Sequence, residues 1–136
     1  MITFSRQHNI DIEQVLQLYQ ANGWSSAEKP QALHRALLNS HSVVSAWDKQ
    51  RLIGIGNAIS DGALVVYYPH LLIHPRYQSQ GIGKEIVGLL KQRYEGFHMH
   101  ILVAERDAIG FYEKCGFTRA GSTQPMWIYK GKDHSL

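Results

Sequence analysis

One stretch of the chain decides the predicted fold: Leu71-Leu72-Ile73-His74-Pro75-Arg76-Tyr77-Gln78-Ser79-Gln80-Gly81-Ile82-Gly83-Lys84. An apolar strand runs into a glycine-rich turn, and the residues that follow have the apolar spacing of a helix. The first N–H groups of a helix have no partner within it, and the helix dipole favours negative charge there. Gly81 and Gly83 lack the Cβ atoms that would hold a phosphate away from the backbone. The stretch therefore predicts an anion site between a strand and a helix; the alternative is a glycine turn that serves packing only.

Two common phosphate-binding patterns do not fit this turn. A P-loop requires Ser or Thr after its Gly-Lys pair, and this chain has Glu85 after Lys84. A dinucleotide-binding turn requires a third glycine three residues after the second, where this chain has Ile86. The spacing that does fit is Gln-x-x-Gly-x-Gly, which begins at Gln78 and ends at Gly83.

A second motif follows about thirty residues further along: Ala108-Ile109-Gly110-Phe111-Tyr112-Glu113-Lys114-Cys115-Gly116-Phe117. The two motifs, in this order, resemble those of the GNAT superfamily of N-acetyltransferases. In that family Gln-x-x-Gly-x-Gly is the pyrophosphate loop for acetyl-CoA, and a short helix ends Ala-x-x-x-Tyr-Glu-Lys-x-Gly-Phe. The resemblance covers residues 63–117, and the first half of the chain is similar only in its order of a strand, two helices and a hairpin.

The resemblance implies a single α/β domain over residues 1–136, with a mixed sheet of about six to seven strands flanked by about four helices. It also implies that a long strand, here residues 63–74, splays from its neighbour and admits the pantetheine arm of acetyl-CoA. The main chain of three residues would pair with the arm: Leu71, Leu72 and Ile73. The turn would hold the pyrophosphate through Gln78, Ser79, Gln80, Gly81, Ile82, Gly83 and Lys84. Many family members carry Asn where this chain has Glu105, so the resemblance does not extend to a side-chain amide contact there.

Tyr112 matches the family's general acid, which protonates the departing sulfur. A phenol, with a pKa of about 10, is protonated at pH 7 and is able to donate. The alternative interpretation of Tyr112 is an aromatic residue packed under the sheet. A backbone N–H near Leu72 or Ile73, freed by the splay, would polarise the thioester carbonyl.

No single residue stands out as the base that deprotonates the amine. Histidine is the side chain most easily tuned to accept a proton near neutral pH. The candidates are Tyr67, His70, His74, His98, His100 and Glu105, and a water chain to solvent would also serve. His98 and His100 share one face of a strand but have no third ligand at a convincing spacing, so no metal site is expected.

The remaining strands are predicted from β-branched and aromatic runs between turn residues. They cover residues 2–4, 42–47, 52–59, 97–103, 117–121 and 126–129. Residues 48–51 predict a hairpin, and Pro69 predicts a bulge or splay in the long strand near Tyr68-Pro69-His70.

Further helices are predicted from their end signals. Asp11 and Gln14 resemble a capping box, and Pro30 fits a first helical position. A short helix over residues 107–114 would end at Gly116 as a left-handed cap. Trp24 lies in the loop between the first two helices, and we predict that this loop borders the acceptor pocket.

Composition excludes several classes of protein. The chain has 136 residues, a formal net charge of +3 and one cysteine, Cys115. A lone cysteine forms no internal disulfide, which favours a reducing cytoplasmic location. The sequence shows no signal peptide and no membrane-spanning run of about 20 apolar residues. The basic residues form no cluster, so nucleic-acid binding is not favoured.

We therefore expect an acetyl-CoA-dependent N-acetyltransferase that acts by direct transfer in a ternary complex. The expected acceptor is a primary amine of a small molecule; a protein lysine or N-terminal amine is the alternative. A non-catalytic acyl-CoA sensor and, more weakly, a basic nucleic-acid-binding domain stay open as other classes. The resemblance also implies a homodimer, paired through the C-terminal strand Met126-Trp127-Ile128-Tyr129.

Overall fold

A computed structural model describes residues 1–133 of the chain. These residues form six strands: β1 Ile2–Ser5, β2 Ser42–Asp48, β3 Arg51–Ser60, β4 Val65–Tyr67, β5 Leu71–Ile73 and β6 Met99–Ile101. They also form four α-helices: α1 Ile12–Ala21, α2 Pro30–Asn39, α3 Ile82–Gln92 and α4 Ile109–Lys114. Short 3₁₀ turns cover Ser25–Glu28, Pro75–Tyr77 and Arg106–Ala108.

The strands form one mixed sheet. β1 to β4 lie side by side with antiparallel pairing, β6 is parallel to β4, and β5 pairs with β3 beyond the end of β4. The hairpin predicted for residues 48–51 is confirmed, with Lys49 in the left-handed region at φ 56°. Six strands and four helices confirm the predicted α/β class.

Helices cover both faces of the sheet. One buried cluster joins α1 and α2 to β2 and β3: Ile10, Val15, Leu18, Tyr19, Leu33, Leu37, Val43, Leu52, Ile55 and Leu72. The other lies under α3: Val44, Ala46, Ile53, Ala58, Val66, Ile82, Ile86, Leu90 and Tyr94. Because each helix buries one apolar stripe against a sheet face, two cores form and the sheet lies between them.

The predicted long strand is broken by a bulge. Ile59 of β3 faces Tyr67, and Asn57 of β3 pairs with His70. Between these two pairs β3 advances by two residues, whereas the facing segment advances by three. The extra residue lies in Tyr68-Pro69-His70, where the sequence predicts it. The break divides residues 63–74 into β4 and β5, which therefore take different directions.

The capping box predicted at α1 is wrong. The side chain of Asp11 makes no capping hydrogen bond. Gln14 instead donates to the carbonyl of Gln50 (2.9 Å) and accepts from the N–H of Leu52 (3.1 Å). Gln14 thus hydrogen-bonds the main chain of the β2–β3 hairpin and does not cap its own helix. Pro30 begins α2 as predicted.

The two strands predicted for residues 117–121 and 126–129 are also wrong, since neither segment pairs with a strand among residues 1–133. Gly121 adopts a positive φ of 61°, and its N–H donates to the carbonyl of Arg119 within a turn. Trp127 and Tyr129 stack on each other at 4.5 Å, and Met126 and Ile128 are exposed. The prediction rested on apolar composition alone, but the two segments bury no apolar face.

The left-handed cap predicted at Gly116, after the end of α4, is confirmed (φ 97°).

Candidate active site

β5 uses one of its two edges to pair with β3. Leu72 lies opposite Ile55, and the N–H of His74 donates to the carbonyl of Ile53 (2.7 Å). Because hydrogen-bonded and non-bonded residues alternate in an antiparallel ladder, Leu72 directs its N–H and C=O toward Ile55. Of the two N–H groups that the sequence predicts to be freed by the splay, that of Leu72 is therefore not free.

The other edge of β5 is open. Leu71 and Ile73 alternate with Leu72 and direct their N–H and C=O groups to this edge. Before β5 begins, the N–H of Tyr68 donates to the carbonyl of Ile101 (3.0 Å), and no strand within residues 1–133 pairs with β5 on this side. Gln78 Nε2 donates to the carbonyl of Ile73 (3.0 Å). An open strand edge of this kind pairs readily with another extended chain.

The turn over residues 78–84 presents unengaged backbone donors. Within residues 1–133 none of its N–H groups donates a hydrogen bond, and the first bond of α3 runs from Glu85 to the carbonyl of Gly81 (3.1 Å). Ser79 and Gly81 are both left-handed, at φ 65° and 81°. Left-handed residues in a turn aim successive N–H groups into one concavity, which binds anions. The predicted pyrophosphate residues are therefore brought together on the surface, except that the side chain of Ile82 is buried in the core.

Gly83 brings β5, the turn and α4 into contact. A Cβ at this position would lie 3.3 Å from Cζ of Phe111 and 3.7 Å from Cγ1 of Ile73. Since Phe111 precedes Tyr112 in α4, this packing fixes α4 beside the open edge of β5. The two sequence motifs thus meet in space.

Tyr112 is half-buried in α4. Its ring centre lies 5.0 Å from that of Phe111 and 6.0 Å from that of Phe117. Burial, followed by the proximity of Cys115, raises the pKa of Tyr112 to about 12. The hydroxyl makes no hydrogen bond to any residue in the range 1–133. It therefore keeps its proton at neutral pH and is available to a bound group.

Two lysines place positive charge near the end of α4. Burial raises the pKa of the Cys115 thiol, and the charges of Lys91 and Lys84 lower it by a smaller amount. Lys91 Nζ donates to the carbonyl of Cys115 (2.6 Å). The thiol is kept neutral, as expected for a packing residue, and Lys84 of the turn is close enough to act on it.

On the other face of the sheet, His70 lies in an aromatic cluster with Tyr19 and Trp24. His70 Nδ1 is 2.8 Å from the hydroxyl of Tyr19, and the ring of His70 is 5.1 Å from the indole of Trp24. Burial lowers the pKa of His70 to about 4, so the imidazole is neutral at pH 7. The cluster connects the bulge before β5 to the loop after α1.

The structure separates the other predicted bases. His74 Nε2 lies 3.1 Å from the guanidinium of Arg51, and desolvation, followed by the charges of Arg51 and Arg76, lowers the pKa of His74. His100 Nδ1 is 2.8 Å from the hydroxyl of Tyr68 on the α3 face. Three further candidates are exposed to solvent: Tyr67, His98 and Glu105.

A cavity of about 650 Å³ lies beside Trp24, where the sequence predicts an acceptor pocket. Its lining comes from the end of α1, the following loop and the C-terminal end of the described chain: Gln20, Gly23, Trp24, Ser25, Ala27, Glu28, Lys132 and Asp133. The wall carries two carboxylates and one ammonium. The ring of Trp24 also contacts that of His70, with 5.1 Å between their centres, and so links the cavity wall to the bulge that precedes β5.

The sequence reasoning missed Asn57. It is buried, with 3% of its surface exposed, in the middle of the apolar strand β3. Its Oδ1 accepts the N–H of His70 (2.9 Å), and its Nδ2 donates to Ser40 Oγ (3.0 Å). A polar residue inside an otherwise apolar strand was the available signal, since buried amides need partners.

No three His, Cys, Asp or Glu side chains in the range 1–133 approach closely enough to hold a metal ion together. None of the helices in this range is long and apolar enough to span a membrane.

Comparison with known proteins agrees with this geometry. The model of the family described as "Acetyltransferase (GNAT) domain" matches residues 6–126. An uncharacterized N-acetyltransferase ycf52-like protein of Prochlorococcus marinus is 32% identical over 122 residues, which cover 85% of this chain and 67% of that protein.

Solved structures show the same fold. A GNAT-family acetyltransferase, SP0256 from Streptococcus pneumoniae, has a TM-score of 0.83 and 30% identity, covering 96% of this chain and 99% of that one. The aminoglycoside N-acetyltransferase AAC(6')-Iy, solved in complex with CoA, has a TM-score of 0.70 at 14% identity, covering 96% and 94% of the two chains. With the glycine turn, the open strand edge and the tyrosine helix in place, the family match over residues 6–126 and the 32% identity to the Prochlorococcus protein show that the chain belongs to the GNAT family of acetyltransferases.

Proposed function

We propose that this acetyltransferase takes its acetyl group from acetyl-CoA and transfers it directly, in a ternary complex, to a primary amine of a small molecule. Acetyl-CoA supplies the acetyl group as a thioester, which an amine attacks readily. The observation that carries the proposal is the open edge of β5 beside a turn whose backbone N–H groups have no partner among residues 1–133.

The residues present fit acetyl-CoA. Leu71 and Ile73 offer main-chain donors and acceptors to an extended chain that carries amides, as the pantetheine arm does. The N–H groups of residues 78–84 would receive the diphosphate, and Lys84 adds positive charge. Gln78 Nε2 donates to the carbonyl of Ile73 (3.0 Å), and an amide of the bound pantetheine arm would take over that role.

Two groups of the chain would assist the chemistry. The N–H of Ile73 faces the open edge, so it would stabilise negative charge that develops on the thioester oxygen. Tyr112 would donate its proton to the departing sulfur, because its raised pKa keeps it protonated and its hydroxyl has no other partner among residues 1–133. Acid assistance of this kind contributes about 10²–10⁴-fold, and positioning supplies the rest.

The acceptor would occupy the cavity beside Trp24. Its volume of about 650 Å³ suits a small molecule. Its wall is polar on one side, where Glu28 pairs with Lys132 (3.1 Å) and Asp133 accepts the N–H of Ser25 (2.8 Å), which favours a polar amine. The indole of Trp24 would pack against the carbon skeleton of the acceptor.

The amine must lose a proton before it attacks, and we propose that water carries this proton to solvent. A base works best when its pKa lies near the working pH. Burial leaves His70 with a pKa of about 4, and desolvation, followed by the charges of Arg51 and Arg76, lowers the pKa of His74. His100 is held by Tyr68 on the opposite face.

We also propose a cytoplasmic enzyme that acts without nucleic-acid or membrane partners. The single cysteine and the net charge of +3 without a basic run support this setting. A homodimer is proposed from the exposed apolar side chains of Met126 and Ile128, which are 93% and 95% exposed. Such residues are typical of a surface that another chain covers.

The test combines binding and turnover. Saturating acetyl-CoA should raise the melting temperature by several degrees, as expected for a ligand at about 100-fold its dissociation constant. CoA release should then appear with at least one member of a panel of small amines. If acetyl-CoA binds and no amine is acetylated, the protein is a sensor; if acetyl-CoA gives no stabilisation, the proposal fails entirely.

A further inference from the structure

Residues 131–133, named here the C-terminal strap, lie along one side of the cavity. Both carboxylate oxygens of Asp133 accept the N–H of Ser25, at 2.8 and 3.0 Å. Lys132 Nζ lies 3.1 Å from Glu28 Oε1. A Cβ at Gly131 would meet the ring of Tyr129 first and would also lie 2.7 Å from Ser25 Oγ. Three successive residues are therefore held against the loop after α1.

Asp133 supplies a cap that the local sequence lacks. The turn Ser25–Glu28 begins after Trp24, whose side chain makes no capping hydrogen bond. The first N–H groups of a helical turn need an external acceptor, and the best acceptors are carboxylates. Asp133 meets this need from 108 residues away. The position of the turn that follows Trp24 thus depends on the strap.

We propose that the C-terminal strap is the outer wall of the acceptor cavity and that Asp133 is a positioning residue for Trp24, so that it determines which amines are accepted. The inference rests on the proposed function, because it takes the cavity as the acceptor site. Lys132 and Asp133 line the cavity together with Trp24, Ser25 and Glu28. Loss of Asp133 releases the loop and opens the cavity on that side. The fitting acceptors are small amines with an apolar part that contacts the indole.

A fluorescence experiment tests the wall independently of catalysis. In a Trp47→Phe, Trp127→Phe background, Trp24 is the remaining indole, and acrylamide quenching measures its access to solvent. Asp133→Ala should raise the quenching constant about twofold, because the loop opens more often once its tertiary contact is gone. Asp133→Asn keeps an acceptor oxygen and should restore most of the protection. Lys130→Ala, an exposed neighbour, is the matched control and should change nothing. Unchanged quenching in Asp133→Ala overturns the proposal.

Kinetics then test the link to the acceptor. With tryptamine, spermidine and a lysine peptide as probe amines, Asp133→Ala should raise the amine KM about tenfold, the effect of losing one hydrogen bond to a charged group. The KM for acetyl-CoA should stay unchanged. An equal rise in both KM values contradicts a wall at the acceptor site. If the wild type acetylates none of the probes, the proposed acceptor fails and the assignment of the cavity falls with it, while quenching still decides whether the strap holds the loop.

Discussion

The side-chain oxygen of Asn57 accepts the backbone N–H of His70 (2.9 Å), while the backbone N–H of Asn57 donates to the carbonyl of the same residue (3.1 Å). One residue of β3 therefore holds both main-chain groups of the last residue before β5. The side-chain nitrogen of Asn57 donates in turn to Ser40 Oγ. The bulge that separates β4 from β5, and with it the open strand edge, is fixed from β3.

Asn57→Ala should lower the free energy of unfolding by about 1–3 kcal/mol, because it leaves the half-buried N–H of His70 without its partner. The KM for acetyl-CoA should rise as well, since β5 loses its fixed direction. Urea denaturation and steady-state kinetics check the two effects. Asn39→Ala, at the exposed end of α2, is the control and should alter neither. A normal KM in Asn57→Ala would show that the splay does not depend on this contact.

Gly81→Val should abolish most acetyl-CoA binding. No atom lies within 4 Å of a Cβ added at Gly81, so the change creates no clash within the protein. The positive φ of 81° strains a β-branched residue by about 1–3 kcal/mol, and the turn no longer aims its N–H groups together. Calorimetric titration with CoA measures the loss.

Gly88→Ala is the matched control for that variant. Gly88 lies within α3, has open space around it and does not have a positive φ. Alanine should stabilise the helix by up to about 1 kcal/mol and leave CoA affinity unchanged. If both variants bind CoA as the wild type does, the turn is not the diphosphate site.

Tyr112→Phe should lower kcat by about 10²–10⁴-fold, because it removes the proton donor. Affinity for CoA should change little, since the ring keeps its contacts with Phe111 and Phe117. Rapid-quench or steady-state assays give kcat, and calorimetry gives the affinity. An unchanged kcat would mean that Tyr112 serves packing only.

Acid should destabilise the protein through His70. Its folded pKa of about 4 lies below the ordinary value of about 6.5, so the unfolded chain binds the proton more readily. The contribution of neutral His70 to the free energy of unfolding is complete above about pH 6.5 and is lost as the pH falls toward 4. This lowers the free energy of unfolding by about 3 kcal/mol. Urea denaturation between pH 7 and pH 4 measures it.

His70→Gln is the control for this pH dependence. Glutamine does not titrate, so the part of the slope that His70 contributes should disappear. The hydroxyl of Tyr19 lies 2.8 Å from Nδ1 of His70, and in the variant the glutamine amide would be its polar neighbour. An unaltered slope in His70→Gln would assign the acid sensitivity to other groups.

The sequence predicted the parts of the site that depend on local backbone chemistry. Gly116 does adopt a left-handed conformation, because glycine tolerates a positive φ, and Pro69 does lie in a bulge, because proline restricts the backbone wherever it stands. The order of the two motifs along the chain did not predict their contact, which the structure makes through Phe111 and Gly83.

The sequence did not predict the features that depend on distant contacts. Gln14 hydrogen-bonds the β2–β3 hairpin instead of capping its own helix. The hydrogen bond from the N–H of Ser25 to Asp133 joins residues that are 108 positions apart in the chain. The register between β5 and β3 decides whether the N–H of Leu72 is paired or free, and a pattern of three apolar residues does not encode that register. Apolar runs after α4 suggested strands, but strand formation requires a partner edge.

A titration of the ¹⁵N-labelled protein with CoA, followed by NMR, tests directly whether the turn and the open edge of β5 bind the cofactor. The largest amide shifts should occur at Ser79, Gly81 and Gly83 and at the open-edge residues Leu71 and Ile73. Leu72, whose N–H faces β3, should shift much less. Saturating CoA that leaves these amides unmoved, or that moves Leu72 more than its two neighbours, would contradict binding at this site.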